Sequence, residues 1–92
     1  MSEKTLERNL KNKVEKHGGK FYKFVSPGMA GVTDRLLLYP VGKIIFVEMK
    51  NTGEKLKPLQ IKRANELRAI GHDVRCIDSK QAIDDLVKEV FG

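Results

Sequence analysis

Apolar residues recur along this 92-residue chain at two different periods. Around positions 6–14, 56–70 and 83–90 they are spaced three or four apart, as on one side of an α-helix. Four shorter runs, at 20–25, 35–39, 44–50 and 72–77, are rich in branched and aromatic side chains, as β-strands are. The pattern predicts an α/β fold in which helices flank a small mixed sheet of about four strands.

Residues that start and stop helices support these boundaries. Ser2 is predicted to cap the first helix, and Gly18–Gly19 to end it. Pro58 stands where a helix tolerates proline, in the first turn of the second helix. Asp78 followed by Gln81 resembles a capping box for the third helix. We expect the strand that follows the second helix to pair in parallel with its neighbour.

The turn between the second and third strands predicts how they pair. A three-residue loop at 40–42, with proline first and glycine last, pairs Tyr39 with Lys43. Counting outward from that pair places Asp34 opposite Glu48. A turn of two residues would shift the pairing by one and put Asp34 on the wrong face.

The third strand is apolar until its end, where it carries an acid and a base. Because side chains alternate along a strand, Glu48 and Lys50 share one face, and the predicted pairing brings Asp34 to them. Two facing carboxylates repel unless a cation lies between them or one is protonated. We infer a divalent metal site with Asp34 and Glu48 as ligands and the Met49 backbone carbonyl as a plausible third. Lys50 would orient the attacking water or stabilise negative charge on a phosphate.

Spacing alone leaves a simpler interpretation open. Glu48 and Lys50 could form an exposed pair at the end of a strand while Asp34 caps a turn. Such exposed pairs are common and contribute little stability.

The order of these residues resembles the PD-(D/E)xK nuclease superfamily and, within it, the VRR-NUC family. The resemblance rests on the segment Gly31–Leu36, the strand Val47–Lys50 and a following helix that carries Gln60. It covers nearly the whole chain, as one domain over residues 1–92, and implies a restriction-endonuclease-like fold, Mg²⁺ or Mn²⁺ as cofactor and hydrolysis of DNA phosphodiesters. One departure is Thr33, where the superfamily usually has proline.

The resemblance also implies two supporting residues. A glutamate on the first helix often approaches the metal site in the family, and Glu7 is the best match, as a further catalytic residue and a possible metal ligand. The alternative interpretation is that Glu7 is a solvated carboxylate on the helix surface. Glu3 is a weaker candidate because it lies where the helix frays. Gln60 falls within the apolar arc of the second helix, where an amide must find partners. It would bond the attacking water, the scissile phosphate or Lys50.

A loop rich in glycine separates the first two strands. Its glycines and proline, at 26–31, allow the backbone to approach a bulky partner, and exposed amides there could meet phosphate. We therefore expect this loop to touch nucleic acid, although a plain connection is equally compatible with Ser26. The candidate nucleic-acid contacts are Ser26, Lys23, Lys57, Lys62 and Arg63. The simpler alternative is a plain loop residue for Lys23 and a solvated surface charge for each of the other three basic residues.

The amino-acid composition favours a nucleic-acid partner and an intracellular location. Lys and Arg number 18 against 12 acidic residues, and the net charge of +6 suits a partner with a phosphate backbone. The single cysteine, Cys76, lies in an apolar run and is expected to be a buried, inert thiol. A single cysteine excludes an internal disulfide and suits a reducing compartment, so we expect an intracellular, cytoplasmic protein. No stretch is long enough to span a membrane, and we expect no organic cofactor.

The sequence therefore predicts a Mg²⁺-dependent DNA endonuclease. The resemblance and the small size suggest a homodimer that acts on branched DNA such as four-way junctions. The first alternative is a non-catalytic nucleic-acid-binding module on the same fold. The second is a protein-interaction adaptor without a nucleic-acid partner.

Overall fold

Helices and strands follow one another in the predicted order in a computed structural model that describes residues 1–92. The first helix is capped as expected, because the Ser2 hydroxyl accepts a hydrogen bond of 3.2 Å from the Thr5 amide. None of the helices is long and apolar enough to cross a membrane. The helices are α1 (Glu3–Lys16), α2 (Pro58–Ala69) and α3 (Lys80–Phe91), and the strands are β1 (Lys20–Lys23), β2 (Arg35–Tyr39), β3 (Lys43–Met49) and β4 (Asp73–Ile77).

The strands form one mixed sheet in the order β1-β2-β3-β4. Strands β1, β2 and β3 are antiparallel neighbours, and β4 pairs with β3 in parallel after the chain has crossed over through α2. The predicted fold class and the parallel pairing are therefore confirmed. The first strand is shorter than predicted, since its ladder ends at Lys23.

The hairpin between β2 and β3 has the predicted register. Tyr39 pairs with Lys43, and the regular ladder runs outward to Arg35 and Val47. The next position along each strand is Asp34 and Glu48. The turn chemistry thus predicted the register of the hairpin correctly, and continuing that register by one position places Asp34 opposite Glu48.

The hydrophobic core lies between one face of the sheet and helices α1 and α3. Every fourth residue of α1 from Leu6 to Val14 is fully buried there, as the amphipathic spacing of the sequence predicts. The other side chains come from alternate positions of the strands and from two positions of α3. The cluster comprises Leu6, Leu10, Val14, Phe21, Leu37, Ile45, Val47, Met49, Ile77, Ile83 and Leu86.

Helix α2 covers the opposite face only in part. Ala64 is its one buried residue, whereas Leu59 and Ile70 remain 39% and 73% exposed. The apolar arc predicted for this helix is therefore buried only near its middle. On the uncovered part of the sheet, Tyr22 and Ile44 are about half exposed.

Two predictions in the last third of the chain were wrong. Ser79, not Asp78, caps α3, and its hydroxyl accepts from the Ala82 amide at 3.1 Å. Gln81 bonds instead to Asp85. Cys76 is exposed, because it lies on the face that α2 covers incompletely.

Candidate active site

The carboxyl end of β3 carries two charged side chains that the fold largely shields from water. Glu48 is 8% exposed and Lys50 is 6% exposed. Neither side chain takes part in any of the hydrogen bonds or ion pairs of the protein, although the Lys50 backbone is fixed by a 3.0 Å bond to the Ile77 carbonyl. Because buried charges are costly without partners, this arrangement indicates a site built to bind something charged.

Burial and a second carboxylate act together on Glu48. Desolvation raises its pKa from 4.5 to about 7, and the negative charge of Asp34 is the next largest cause. The Lys50 ammonium opposes this rise with a smaller effect. Asp34, Glu48 and Lys50 are therefore close enough to interact electrostatically, as the hairpin register predicts.

Asp34 is held at the mouth of the hairpin by its neighbours. Its backbone carbonyl accepts a hydrogen bond of 3.0 Å from the Phe24 amide, which keeps it aligned with β1. One carboxylate oxygen, Oδ2, lies 2.9 Å from Arg35 Nη1, and the side chain remains about half exposed. Asp34 is therefore accessible to solvent and also fixed in position. A metal ligand that leaves room for a substrate needs both properties.

The glutamates of α1 are placed differently from expectation. The Glu7 carboxylate binds Arg35 Nε, so it reaches Asp34 only through that guanidinium. The α1 acid whose charge raises the Glu48 pKa is Glu3. Its backbone amide donates a hydrogen bond of 2.6 Å to Asn51 Oδ1, which ties the start of the helix to the end of β3. This tertiary contact helps to place Glu3 near the site, although the sequence favours Glu7 over Glu3.

Gln60 lies in the first turn of α2, on the side that faces Glu48. Its Oε1 accepts a hydrogen bond of 2.8 Å from the Lys57 amide and so satisfies one free donor of the helix start. The same side chain lines a narrow cavity together with Glu48 and Thr33. The structure therefore brings Gln60 to the candidate site, beside the acid and bonded to neither Lys50 nor Asp34.

The glycine-rich loop packs tightly on α2. Gly31 has a φ of +83°, and a Cβ atom at that position would lie 2.8 Å from Leu59 Cγ and 2.9 Å from the Leu59 carbonyl oxygen. Arg63 Nε donates a hydrogen bond of 3.2 Å to the Ala30 carbonyl. These contacts fix the backbone that leads into Asp34.

The candidate nucleic-acid contacts fall into two groups. Lys23, Lys57 and Lys62 are exposed and have no ion-pair partner. Arg63 is partly buried and already engaged, since it also pairs with Glu66 at 2.9 Å. Ser26 is half-buried, and its carbonyl accepts from the Met29 amide at 3.2 Å. Among these candidates, the three lysines are free to meet a phosphate backbone.

The donor set at this site suits a hard divalent ion. The protein contains no group of three or more His, Cys, Asp or Glu side chains that could enclose a metal. Mg²⁺ is usually bound by one or two carboxylates, with water and substrate phosphate completing its coordination. Asp34 and the unpartnered Glu48 carboxylate provide such a partial set.

Comparisons with known proteins bear on the fold and the family of the chain. No family model matches the chain. A protein of Acyrthosiphon pisum secondary endosymbiont phage 1, named "Putative nuclease p44", is 51% identical over 78 residues, which cover 85% of this chain and 84% of that protein. A solved structure described as "VRR_NUC domain" is 27% identical, with a TM-score of 0.85 over 99% of this chain and 100% of its own. The similarity in fold therefore extends across the whole sheet and all of its helices.

Proposed function

Since this chain belongs to the VRR-NUC family and has the PD-(D/E)xK-like fold, we propose that it is a metal-dependent endonuclease that hydrolyses phosphodiester bonds of DNA. The observation that carries the proposal is the pair of buried, unpartnered charges Glu48 and Lys50 beside Asp34. A domain that only bound DNA would have no need to bury an acid and a base without partners. Exposed lysines would be sufficient for that task.

Asp34 and Glu48 would hold Mg²⁺, or Mn²⁺ in its place, together with the backbone carbonyl of Met49. When bound, the ion would polarise a phosphoryl oxygen, lower the pKa of a water molecule and stabilise the leaving oxygen. The Met49 side chain is 1% exposed and belongs to the core, so it anchors the backbone between Glu48 and Lys50. Glu7 would support the site through Arg35, which it orients toward Asp34.

Lys50 would act on the phosphate and on the water that attacks it. Lys50 is only 6% exposed and its ammonium group has no partner in the protein, so its charge is available to the substrate. Hydrolysis adds negative charge to the phosphoryl group in the transition state, and a fixed cation in a dry site stabilises that charge strongly. Gln60, in the first turn of α2, would help to hold Glu48 in place.

DNA would approach across the mouth of the hairpin. The exposed lysines Lys23, Lys57 and Lys62, with the Ser26 end of the glycine-rich loop, would contact its backbone. We further propose that the enzyme is a homodimer selective for branched DNA, such as a four-way junction. The partly uncovered apolar face of the sheet supports a second subunit, because a small domain gains stability by covering such a face.

The test is cleavage of four-way-junction and linear duplex DNA with Mg²⁺, with Mn²⁺ and with a chelator. We expect new products only with metal, and more from the junction. Asp34→Ala, Glu48→Ala and Lys50→Ala should each reduce cleavage at least about 100-fold while DNA binding persists. Lys43→Ala, at the opposite end of the same strand, is the matched control and should cut normally.

Two outcomes would contradict the proposal in different ways. Binding to DNA without any product under all metal conditions would identify a non-catalytic binding module. Persistent metal-dependent cleavage by the three alanine variants would place the active site elsewhere.

A further inference from the structure

The loop between β1 and β2 exposes apolar side chains beside the candidate active site. Residues 24–33 carry no charge, although charged residues make up 33% of the chain. Val25 is 73% exposed and Met29 is 48% exposed, and Pro27 and Ala30 are exposed as well. Apolar side chains that gather in one exposed patch often mark a binding surface. We call these four residues the apolar tip: Val25, Pro27, Met29 and Ala30.

The apolar tip is built on a tight turn. The Ser26 carbonyl accepts a hydrogen bond of 3.2 Å from the Met29 amide. Gly28 has a φ of +76° and follows Pro27, which is the arrangement of a type II turn. Because the turn fixes the backbone in advance, its side chains lose little conformational freedom when they bind a partner.

Both ends of the loop are tied to elements of the candidate active site. The Phe24 amide, directly before the apolar tip, donates a hydrogen bond of 3.0 Å to the Asp34 carbonyl. The Ala30 carbonyl accepts one of 3.2 Å from Arg63 Nε on α2. The apolar tip is therefore held next to Asp34, at the mouth of the hairpin.

The charges around the apolar tip indicate what kind of partner it fits. Lys23 precedes the loop, and Lys62 lies one helical turn after Leu59, the residue that packs on Gly31. Both lysines are exposed and have no ion-pair partner. A cationic rim around an apolar centre matches DNA, which offers phosphates beside the apolar faces of its bases. It would repel a second copy of this chain, whose net charge is +6.

We propose that the apolar tip stacks on nucleobases that a branch point exposes, and that it is the element by which this protein recognises branched DNA. The inference rests on the proposed function, in which DNA is the substrate. Within a continuous duplex, each base pair is covered on both faces by its neighbours. At a branch point a base pair loses one neighbour, and Val25 and Met29 cover the face that is left open. Apolar side chains of DNA-bending proteins enter between base steps in the same way.

The test uses the full chain in a chelator, so that DNA is bound and not cut. One probe is a four-way junction with 2-aminopurine beside the branch point, and the other is a linear duplex with 2-aminopurine in the same sequence. We expect the wild type to raise the fluorescence of the junction alone, because an apolar side chain that separates two bases removes the stacking that quenches 2-aminopurine.

The double variant Val25→Ser/Met29→Gln removes the apolar side chains from exposed positions and leaves the core intact. We expect it to abolish the fluorescence rise and to weaken junction binding about tenfold. Its affinity for the linear duplex, which depends on phosphate contacts, should be unchanged. Val41→Ser makes the same change at a valine that is 89% exposed at the opposite end of the hairpin, and it should behave as the wild type does.

Three outcomes would overturn the inference. The first is a double variant that raises the fluorescence and prefers the junction as the wild type does. If the wild type also cuts DNA with Mg²⁺, that result refutes the role of the apolar tip alone. The second is a double variant with half the mass of the wild type in light scattering, which would place the apolar tip in a subunit interface. The third is a wild type that neither binds nor cuts DNA, which refutes the proposed function as well.

Discussion

At the scale of single residues, the burial of Glu48 couples the site to the stability of the whole fold. Burial first, and then the charge of Asp34, raises the Glu48 pKa to about 7 in the folded protein, against 4.5 in an unfolded chain. Between these values the folded protein holds a proton that the unfolded chain has released. The stabilising contribution is therefore complete below pH 4.5 and is lost as the pH rises to 7, by up to about 3 kcal/mol.

Melting experiments in a chelator test this coupling. We expect the melting temperature of the wild type to fall between pH 5 and pH 8, and Glu48→Gln to remove most of that fall. At pH 8 the variant should be the more stable protein, because its amide stays neutral. Glu15→Gln, at an exposed position of α1, is the control and should follow the wild type. Parallel curves for the wild type and Glu48→Gln would show that Glu48 titrates normally.

The glycine-rich loop offers a matched pair of substitutions. Gly28 and Gly31 both have positive φ, but a Cβ atom meets nothing within 4 Å at Gly28 and would collide with Leu59 at Gly31. We expect Gly28→Ala to cost about 1 kcal/mol of unfolding free energy and to leave cleavage intact. Gly31→Ala should cost more and reduce cleavage, because the displaced backbone leads directly into Asp34. Urea denaturation and cleavage rates measure both effects, and equal losses in the two variants would exclude the collision with Leu59.

Residues differ in how far their position in the site follows from the sequence. The meeting of Asp34, Glu48 and Lys50 could be predicted because it depends on local rules, the turn length and the alternation of a strand. The contribution of Glu3 depends on where α1 docks, and the cavity beside Thr33 depends on how α2 rests on the sheet. Such tertiary contacts leave no periodic signal in the sequence.

At the scale of elements, α2 is attached to the sheet in a different way from the other helices. Helix α1 buries Leu6, Leu10 and Val14 completely, whereas α2 buries only Ala64. Polar contacts hold α2 instead, such as the 2.8 Å bond from Arg68 Nη2 to the Val74 carbonyl. A helix with little buried apolar surface opens at low free-energy cost.

Hydrogen exchange followed by mass spectrometry tests this difference. We expect amides in the middle of α2 to exchange markedly faster than those in the middle of α1. Since α2 carries Gln60 and packs on the glycine-rich loop, bound DNA and Mg²⁺ should slow exchange in α2 more than in α1. Equal protection of the two helices in the free protein would contradict the weak attachment of α2.

The same difference explains which elements could be predicted. Both the hairpin register and the three fully buried positions of α1 follow from a strong pattern that the fold satisfies completely. The apolar arc of α2 looks equally regular in sequence, but the sheet face beneath it is only partly covered. Leu59, Ile70 and Cys76 are exposed for that reason. Apolar periodicity predicts the helix but does not show how much of it is buried.

At the scale of the whole molecule, the uncovered side of the sheet is the surface where a second subunit would fit. Tyr22 and Ile44, 52% and 49% exposed, lie on the face opposite the core, since β1 and β3 flank β2 in register. Apolar side chains on an open sheet face favour association. The net charge of +6 opposes it through mutual repulsion, which salt screens.

The mass of the protein in solution tests the dimer. At moderate salt, light scattering after gel filtration should give twice the 10.4 kDa of one chain, and Ile44→Glu should give a single chain. Val41→Glu introduces the same charge at the hairpin loop, outside the sheet face, and should remain a dimer. If the Ile44→Glu monomer still nicks DNA but no longer cuts two strands of a junction together, then pairing of two sites explains the selectivity. A wild-type protein with the mass of one chain would remove that explanation and leave a nuclease that cuts each strand separately.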